Sequence, residues 1–186
     1  MKYSGIKKDK LFVTADEHYG HANIIKYTNR PFRTVDQMNE ELVNRFNAVV
    51  PKDGMTIHAG DFYLGPLKND FVYQKIVSRL NGSHIFMRGS HDKWLKGPNI
   101  PEIIELNVEG QSIIVCHYCM RTWAKSHYNS WHLYGHSHGT LEPIGKSWDI
   151  GVDKNNFFPL SFSDVENIMN VRPDNPNLIP QDKRRY

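Results

Sequence analysis

Gly135-His136-Ser137-His138-Gly139 places two histidines one residue apart between glycines. Alone, the stretch is a modest signal, because alternating histidines on a strand or turn are often polar surface. Its weight comes from what stands upstream. Asp16-Glu17-His18 follows the apolar run Lys10 to Ala15, Gly60-Asp61 follows Met55 to Ala59, Gly89-Ser90-His91-Asp92 follows Ser83 to Met87, and Cys116-His117 closes the run from Ser112. Carboxylate and imidazole groups recur at the ends of successive strand-like segments. An α/β protein gathers ligands distant in sequence around a metal in this way.

Helical patterns lie between these segments. Ala22 to Tyr27 gives a turn or two. Thr34 and Gln37 have capping-box spacing, and Val35, Met38, Leu42, Phe46 and Val49 repeat at helical intervals until Pro51 and Gly54 end the run. Asn69 is a candidate cap for the next helix, with Phe71, Val72, Ile76, Val77 and Leu80 on its apolar face and Gly82 as its stop. Strands alternating with helices predict a largely parallel sheet, with ligands beyond the strands' carboxyl ends. The second half differs. Ile103–Val108 and Ser112–Cys116 flank Glu109-Gly110-Gln111 as a hairpin. His132-Leu133-Tyr134 and Ser147–Val152 read as further strands, and Ser163-Asp164-Val165-Glu166 as a capping box opening a short helix through Met169. We expect one domain over residues 1–171 and an extended tail over 172–186.

The chain of 186 residues suits one domain with a sizeable core. Hydrophobic residues at 39% and charged residues at 23% are ordinary for a globular protein. A net charge of +3 is too small to argue nucleic-acid binding. The basic residues near each end, Lys7-Lys8-Asp9-Lys10 and Lys183-Arg184-Arg185, read as solvated termini. No stretch approaches the roughly 18 apolar residues of a membrane span, and the first residues lack a signal-peptide centre, so a cytoplasmic protein is expected. Cys116 and Cys119 have C-x-x-C spacing without the second pair that a zinc site needs, which leaves two buried thiols.

The ordered series Asp16-x-His18, Gly60-Asp61-x-x-x-Gly65, Gly89-x-His91-Asp92, His117 and Gly135-His136-x-His138 resembles the calcineurin-like metallophosphoesterase superfamily. The resemblance implies an α/β fold, a two-sheet sandwich flanked by helices in a four-layer α/β/β/α arrangement. It implies two divalent transition-metal ions, manganese foremost with iron, nickel and zinc open. Asp16, His18 and His138 would hold the first ion, His117 and His136 the second, and Asp61 both. Imidazoles favour transition metals, while carboxylates offset their charge and can bridge. Ser90 stands where the family has an asparagine whose amide oxygen ligates the second ion; a hydroxyl reaches less far and is a poorer ligand. His91 matches the family's histidine at the scissile phosphate, stabilising the transition state or protonating the leaving oxygen, with Asp92 orienting it.

Other candidates are weaker. His21, Asn23, Arg30, Arg33 and Arg121 are candidate substrate contacts, since arginine suits oxyanions and histidine can face one. Trp123, Tyr128, Trp131 and Tyr134 offer either a pocket for a base or aromatic core. His58 reads as a packed histidine, Asp153 as a strand-end residue near the site, and Glu17 carries no assigned role.

The expected activity is hydrolysis of a phosphate mono- or diester by a metal-activated hydroxide at a dinuclear site. Nucleotides and nucleic-acid ends are candidate substrates; no membrane partner is expected and the oligomeric state is open. The alternative is a catalytically weakened metal- or phosphate-binding module of the same fold, which Ser90 favours. A structural zinc site in a nucleic-acid-binding protein is disfavoured by the modest charge and the mixed Asp/His set.

Overall fold

Lys2–Tyr3 form a first short strand (β1), and the β-rich run Leu11–Thr14 forms the second (β2). A single helical turn follows at Ile24–Tyr27 (α1), then a long helix at Val35–Val49 (α2). The chain continues through Met55–His58 (β3), Asn69–Lys75 (α3) and Ser83–Phe86 (β4). Ile103–Val108 (β5), Gln111–Cys116 (β6), Trp131–Tyr134 (β7), Ser147–Asp149 (β8) and Leu160–Ser161 (β9) complete the strands, and Phe162–Val171 (α4) is the last long helix. The structure is a computed structural model that describes residues 1–66 and 69–183, without the side chains of 69–71 and 181. The expected cap at Asn69, the side chain of Phe71 and the basic pair Arg184-Arg185 lie outside the described residues.

The strands form two mixed sheets, one in the order β1-β5-β6-β7-β8 and one in the order β4-β3-β2-β9. Pairing is parallel except for the β5–β6 hairpin and the β2–β9 edge. The hairpin turns through Glu109 (φ 49°) and Gly110 (φ 89°), the positive dihedrals that a two-residue turn between twisted strands requires. The two inner faces pack on each other: Leu11, Val13, Ile57 and Met87 from one sheet meet Leu106, Ile113, Val115 and Leu133 from the other. Helices α1–α3 cover the outer face of the four-stranded sheet, where Met38, Leu42, Phe46 and Val72 meet Phe12 and Phe62. Helix α4 closes one edge of the sandwich with Phe162, Val165 and Met169. The result is an α/β two-sheet sandwich flanked by helices, as expected.

Local details refine the expectations. Thr34 caps α2 by accepting the amide of Gln37 at 3.1 Å, but the Gln37 side chain reaches one residue further back, to the amide of Arg33. Helix α3 stops at Lys75; Ile76 leaves helical geometry and Val77–Arg79 continue as a single 3-10 turn, which still buries Val72, Ile76, Val77 and Leu80. The capping box of α4 is Ser161–Asp164, not Ser163–Glu166. Starting there puts Phe162, Val165 and Met169 on one buried face, which the later start would not organise. The β1 and β9 strands were not expected. Each is two residues long and is made by its partner rather than by its own pattern.

The tail after α4 lies along the body. Arg172 donates to the carbonyls of Pro143 and Gly145, and the buried Asn175 donates to those of Ser126 and Ser130. At the opposite end of the sheets the two layers are stitched together: Ala15 and Gly151 form a parallel bridge, with the amide of Val152 donating to Ala15 at 3.0 Å. That stitched end carries the carboxyl termini of β2, β3, β4, β6 and β7. No helix among the described residues is long and apolar enough to cross a membrane.

Candidate metal centre

Four strand ends deliver these predicted ligands to one place. Asp16 and His18 follow β2, Asp61 follows β3, His117 follows β6, and His136 and His138 follow β7. They sort into two groups, Asp16 with His18 and His138, and Asp61 with His117 and His136. Within each group the ligand atoms lie within 4.8 Å of one another, so either could hold a metal ion. The groups meet at Asp61. Its Oδ2 lies 3.4 Å from Nε2 of His117 and 3.7 Å from Nε2 of His18.

The residues fit a cation by a test independent of sequence pattern. Asp16 Oδ1, both ring nitrogens of His18 and Nε2 of His117 are buried and have no hydrogen-bond partner among the described residues. Leaving a buried polar atom unsatisfied costs roughly 1–3 kcal/mol, so such a cluster calls for a ligand. Burial, helped by the Asp149 and Asp61 carboxylates, pushes the Asp16 carboxyl well above its ordinary range. Burial also pushes the Asp61 carboxyl up, but the His117 imidazole and the His91 amide outweigh it and hold Asp61 well below that range. Burial takes His18 down to about 3, which keeps its ring neutral and its lone pair available. Burial lowers His136 as well.

The backbone is bent to make this arrangement. Asp16 (φ 58°), His18 (53°), Asp61 (55°), His136 (67°) and His138 (48°) all occupy the left-handed region that non-glycine residues seldom visit. Strain of this kind clusters at functional sites and persists only where the surroundings hold it. Here the surroundings do. Asp92, buried, accepts from the amides of Asp61 (2.6 Å), Phe62 (3.0 Å) and Gly89 (2.8 Å) and from the Trp94 indole (2.9 Å). Asp149 accepts from the Ser137 hydroxyl at 2.6 Å and the Gly139 amide at 2.8 Å, bracing the double-histidine loop. Two glycines admit the carboxylates: a Cβ at Gly135 would stand 2.6 Å from Asp16 Oδ2, and one at Gly89 would collide with Oδ1 of Asp61.

The candidate ligand rings are oriented from behind. His117 Nδ1 lies 3.0 Å from the carbonyl of Ala59, which leaves Nε2 toward Asp61. His138 Nδ1 lies 2.7 Å from Oδ2 of Asp153. Arg30 holds Asp153 in turn and also donates to the carbonyls of Asp16 and Glu17. Arg30, expected to face substrate, is therefore buried and spent on the scaffold. Arg121 lines a separate hollow with Trp123 and Asn177, and Asn23 is an exposed residue at the start of α1; neither reaches the cleft. Asp92 does not orient the His91 ring either, since its oxygens are committed to Asp61, Phe62, Gly89 and Trp94.

His91 and His21 do face the cleft, a cavity of about 520 Å³ floored by His18, Asp61, His136 and His138. The His91 ring lies 5.5 Å from that of His18 and 6.2 Å from that of His21. The Ser90 hydroxyl donates to Asp61 Oδ2 at 2.9 Å. None of Trp123, Tyr128, Trp131 and Tyr134 lines the cleft; Trp123, Trp131 and Tyr134 are buried in the body. Glu17 points away from the cleft and meets His58 at 2.5 Å, and His58 meets His84 at 3.0 Å beneath Phe46 and Phe86. The brace at Asp149 and the exposed Tyr118, packed 4.9 Å from the rings of both His117 and His136, were missed. Asp149 carries no spacing signal, whereas Tyr118 could have been flagged by its place next to a ligand.

No family model matches the chain. The uncharacterized protein MJ1445 of Methanocaldococcus jannaschii is 32% identical to it over 159 residues, spanning 82% of this chain and 86% of that protein. Among solved structures, a protein of unknown function from Aquifex aeolicus, AQ665, superposes with a TM-score of 0.65 at 18% identity. The match covers 85% of this chain and 98% of that one, so the two share a fold. A predicted phosphoesterase from Streptococcus pneumoniae TIGR4 gives a TM-score of 0.36 at 19% identity over 72% of this chain and 65% of that one. At 32% identity over most of both chains, the protein belongs to the family of MJ1445.

Proposed function

We propose that the protein is a metal-dependent phosphoesterase that hydrolyses a phosphate mono- or diester at a dinuclear site. The observation that carries this reading is the position of Asp61, whose Oδ2 stands between the imidazoles of His18 and His117 where the two ligand groups meet. Asp16, His18 and His138 would hold one ion, His117 and His136 the other, and Asp61 both. When bound, divalent ions supply positive charge for the phosphate oxygens and lower the pKa of water, so that hydroxide is available near neutral pH.

The chain's own residues do the rest. In hydrolysis, water oxygen joins phosphorus, the bond to the leaving oxygen breaks, and that oxygen takes a proton. His91 faces the cleft and is the group placed to give it. Its amide donates to Asp61 Oδ1 at 2.8 Å, which ties the proton donor to the shared carboxylate. Asp92 is a positioning residue that holds the Asp61 loop. His21, whose ring faces His91, flanks the phosphate seat.

The test is hydrolysis of p-nitrophenyl phosphate and bis(p-nitrophenyl) phosphate by stripped protein titrated with Mn, Fe, Ni, Zn or Mg. Turnover that requires metal and is lost in His91→Ala and Asp61→Asn supports the reading. Tight metal binding by a folded protein without turnover overturns it in favour of a weakened binding module. The hydrogen bond from Ser90 to Asp61 favours that second reading, because it directs the hydroxyl at a carboxylate.

A further inference from the structure

Two hollows flank the ligand groups, and they differ in chemistry. The larger, of about 520 Å³, is in the size range of small-molecule sites. Above its histidine floor stands an apolar wall of Ile24, Tyr27 and Leu64. Tyr27 is 71% exposed, an unusual amount of bare aromatic surface beside so polar a floor. Its ring stands edge-on to His21 with centroids 6.1 Å apart. The neighbouring Thr28 hydroxyl is already bonded to Ile24 and Asp153. Among the described residues no lysine or arginine lines this hollow, so a second phosphate there would meet no side-chain cation.

The smaller hollow, of about 250 Å³, lies on the far side of His117. Tyr118, 48% exposed, forms the ridge beside it through its contacts with His117 and His136. Arg88 and Glu102 both line it, and the Arg88 guanidinium has no hydrogen bond or ion pair, to Glu102 or to any other group, among the described residues. A free arginine beside a ligand histidine is suited to a phosphate oxygen.

We propose that the substrate is a phosphodiester with a nucleoside on one ester arm, seated against Ile24, Tyr27 and Leu64, and a second arm running past Tyr118 to Arg88. A monoester has one organic arm and would leave one hollow empty; a diester has two. The neutral aromatic wall takes a base by stacking on Tyr27, and Arg88 takes the next anionic group of a nucleic-acid chain. This inference rests on the phosphoesterase reading above.

Metal-loaded protein is assayed with thymidine 5′-monophosphate p-nitrophenyl ester, methyl p-nitrophenyl phosphate and p-nitrophenyl phosphate. The nucleotide ester should exceed the methyl ester in kcat/KM by about tenfold or more, mostly through KM, as expected for a stacked base. Both diesters should exceed the monoester. Tyr27→Ala should bring the ratio of the two diesters near one, and Tyr27→Phe should keep it. A thymidine dinucleotide bearing a terminal phosphate should have a lower KM than one without it, and Arg88→Met should erase that difference. A faster monoester, no gain from the nucleoside, or a gain that survives Tyr27→Ala overturns the diester inference and leaves the phosphoesterase reading standing. No turnover of any ester with any metal overturns both.

Discussion

Nδ1 of His138 lies 2.7 Å from Oδ2 of Asp153, and Arg30 grips the same carboxylate through Nε and Nη2 at 2.8 Å each. Burial pushes the Asp153 carboxyl up, but His138 and Arg30 together bring it down to about 2, so it is ionised across the physiological range. The pairing fixes the His138 tautomer and presents Nε2 to the cleft. Asp153→Asn is expected to weaken metal binding by roughly 10–100-fold, read by competition with a chromophoric chelator. Unchanged affinity would show that His138 needs no such support. Asp153→Ala leaves the buried Arg30 uncompensated and should lower stability in urea by about 3–5 kcal/mol.

Gly135 tests the close approach of Asp16. A methyl group there would stand 2.6 Å from Asp16 Oδ2 and 2.7 Å from the Ala15 Cβ, both in the buried stitched end. Gly135→Ala should shift Asp16, destabilise the fold by about 1–3 kcal/mol and reduce metal uptake. Denaturation and metal stoichiometry measured on the same preparation check both effects. Retained uptake in a destabilised variant would separate packing from ligation.

His132 gives a pH dependence with a definite sign. Its ring is fully buried, Nδ1 lies 3.1 Å from the Ile114 carbonyl, and Nε2 accepts the Met120 amide at 3.0 Å. Burial lowers its pKa from 6.5 to about 4, and protonating Nε2 would set two donors face to face. The unfolded state therefore binds more protons between those values. The stabilising effect of the neutral ring is full above pH 6.5 and fades as pH falls toward 4. The total is about 3 kcal/mol. Urea denaturation with chelator present, at several pH values, should show a shallower slope over this window in His132→Gln. An identical slope would place the titration elsewhere.

Ser90 tests the second ligand group. Its hydroxyl donates to Asp61 Oδ2 at 2.9 Å. Asparagine carries its oxygen one atom further from the backbone and is a better neutral ligand. Ser90→Asn should raise the bound metal from about one toward about two ions per chain under limiting metal, and raise turnover with it. Equal stoichiometry and affinity in the two forms would remove Ser90 as the cause of any weakness.

The clustering of the candidate ligands was legible in the sequence because each stands just beyond a short apolar strand, where local pattern and chemistry coincide. The second tier was not. Arg30 looked like a substrate contact because its carboxylate partner, Asp153, is 123 residues away in sequence. Trp131 could be read as either pocket wall or core because an aromatic residue carries no mark of the face it occupies, and it packs against Phe162 in the core. Edge strands as short as Lys2–Tyr3 have no periodicity to detect and arise only when β5 offers its edge. The start of α4 was misplaced because two serines stand two residues apart, and only the burial of Phe162 selects the first.

The left-handed dihedrals at Asp16, His18, Asp61, His136 and His138 bear on how the protein would come to hold a metal. An unfolded chain avoids that conformation at every one of these residues, and the three loops that carry them are brought together only by the sheets. A nascent polypeptide thus offers scattered histidines and no chelate. Any metal would therefore be captured by the finished sandwich, and loading would follow folding.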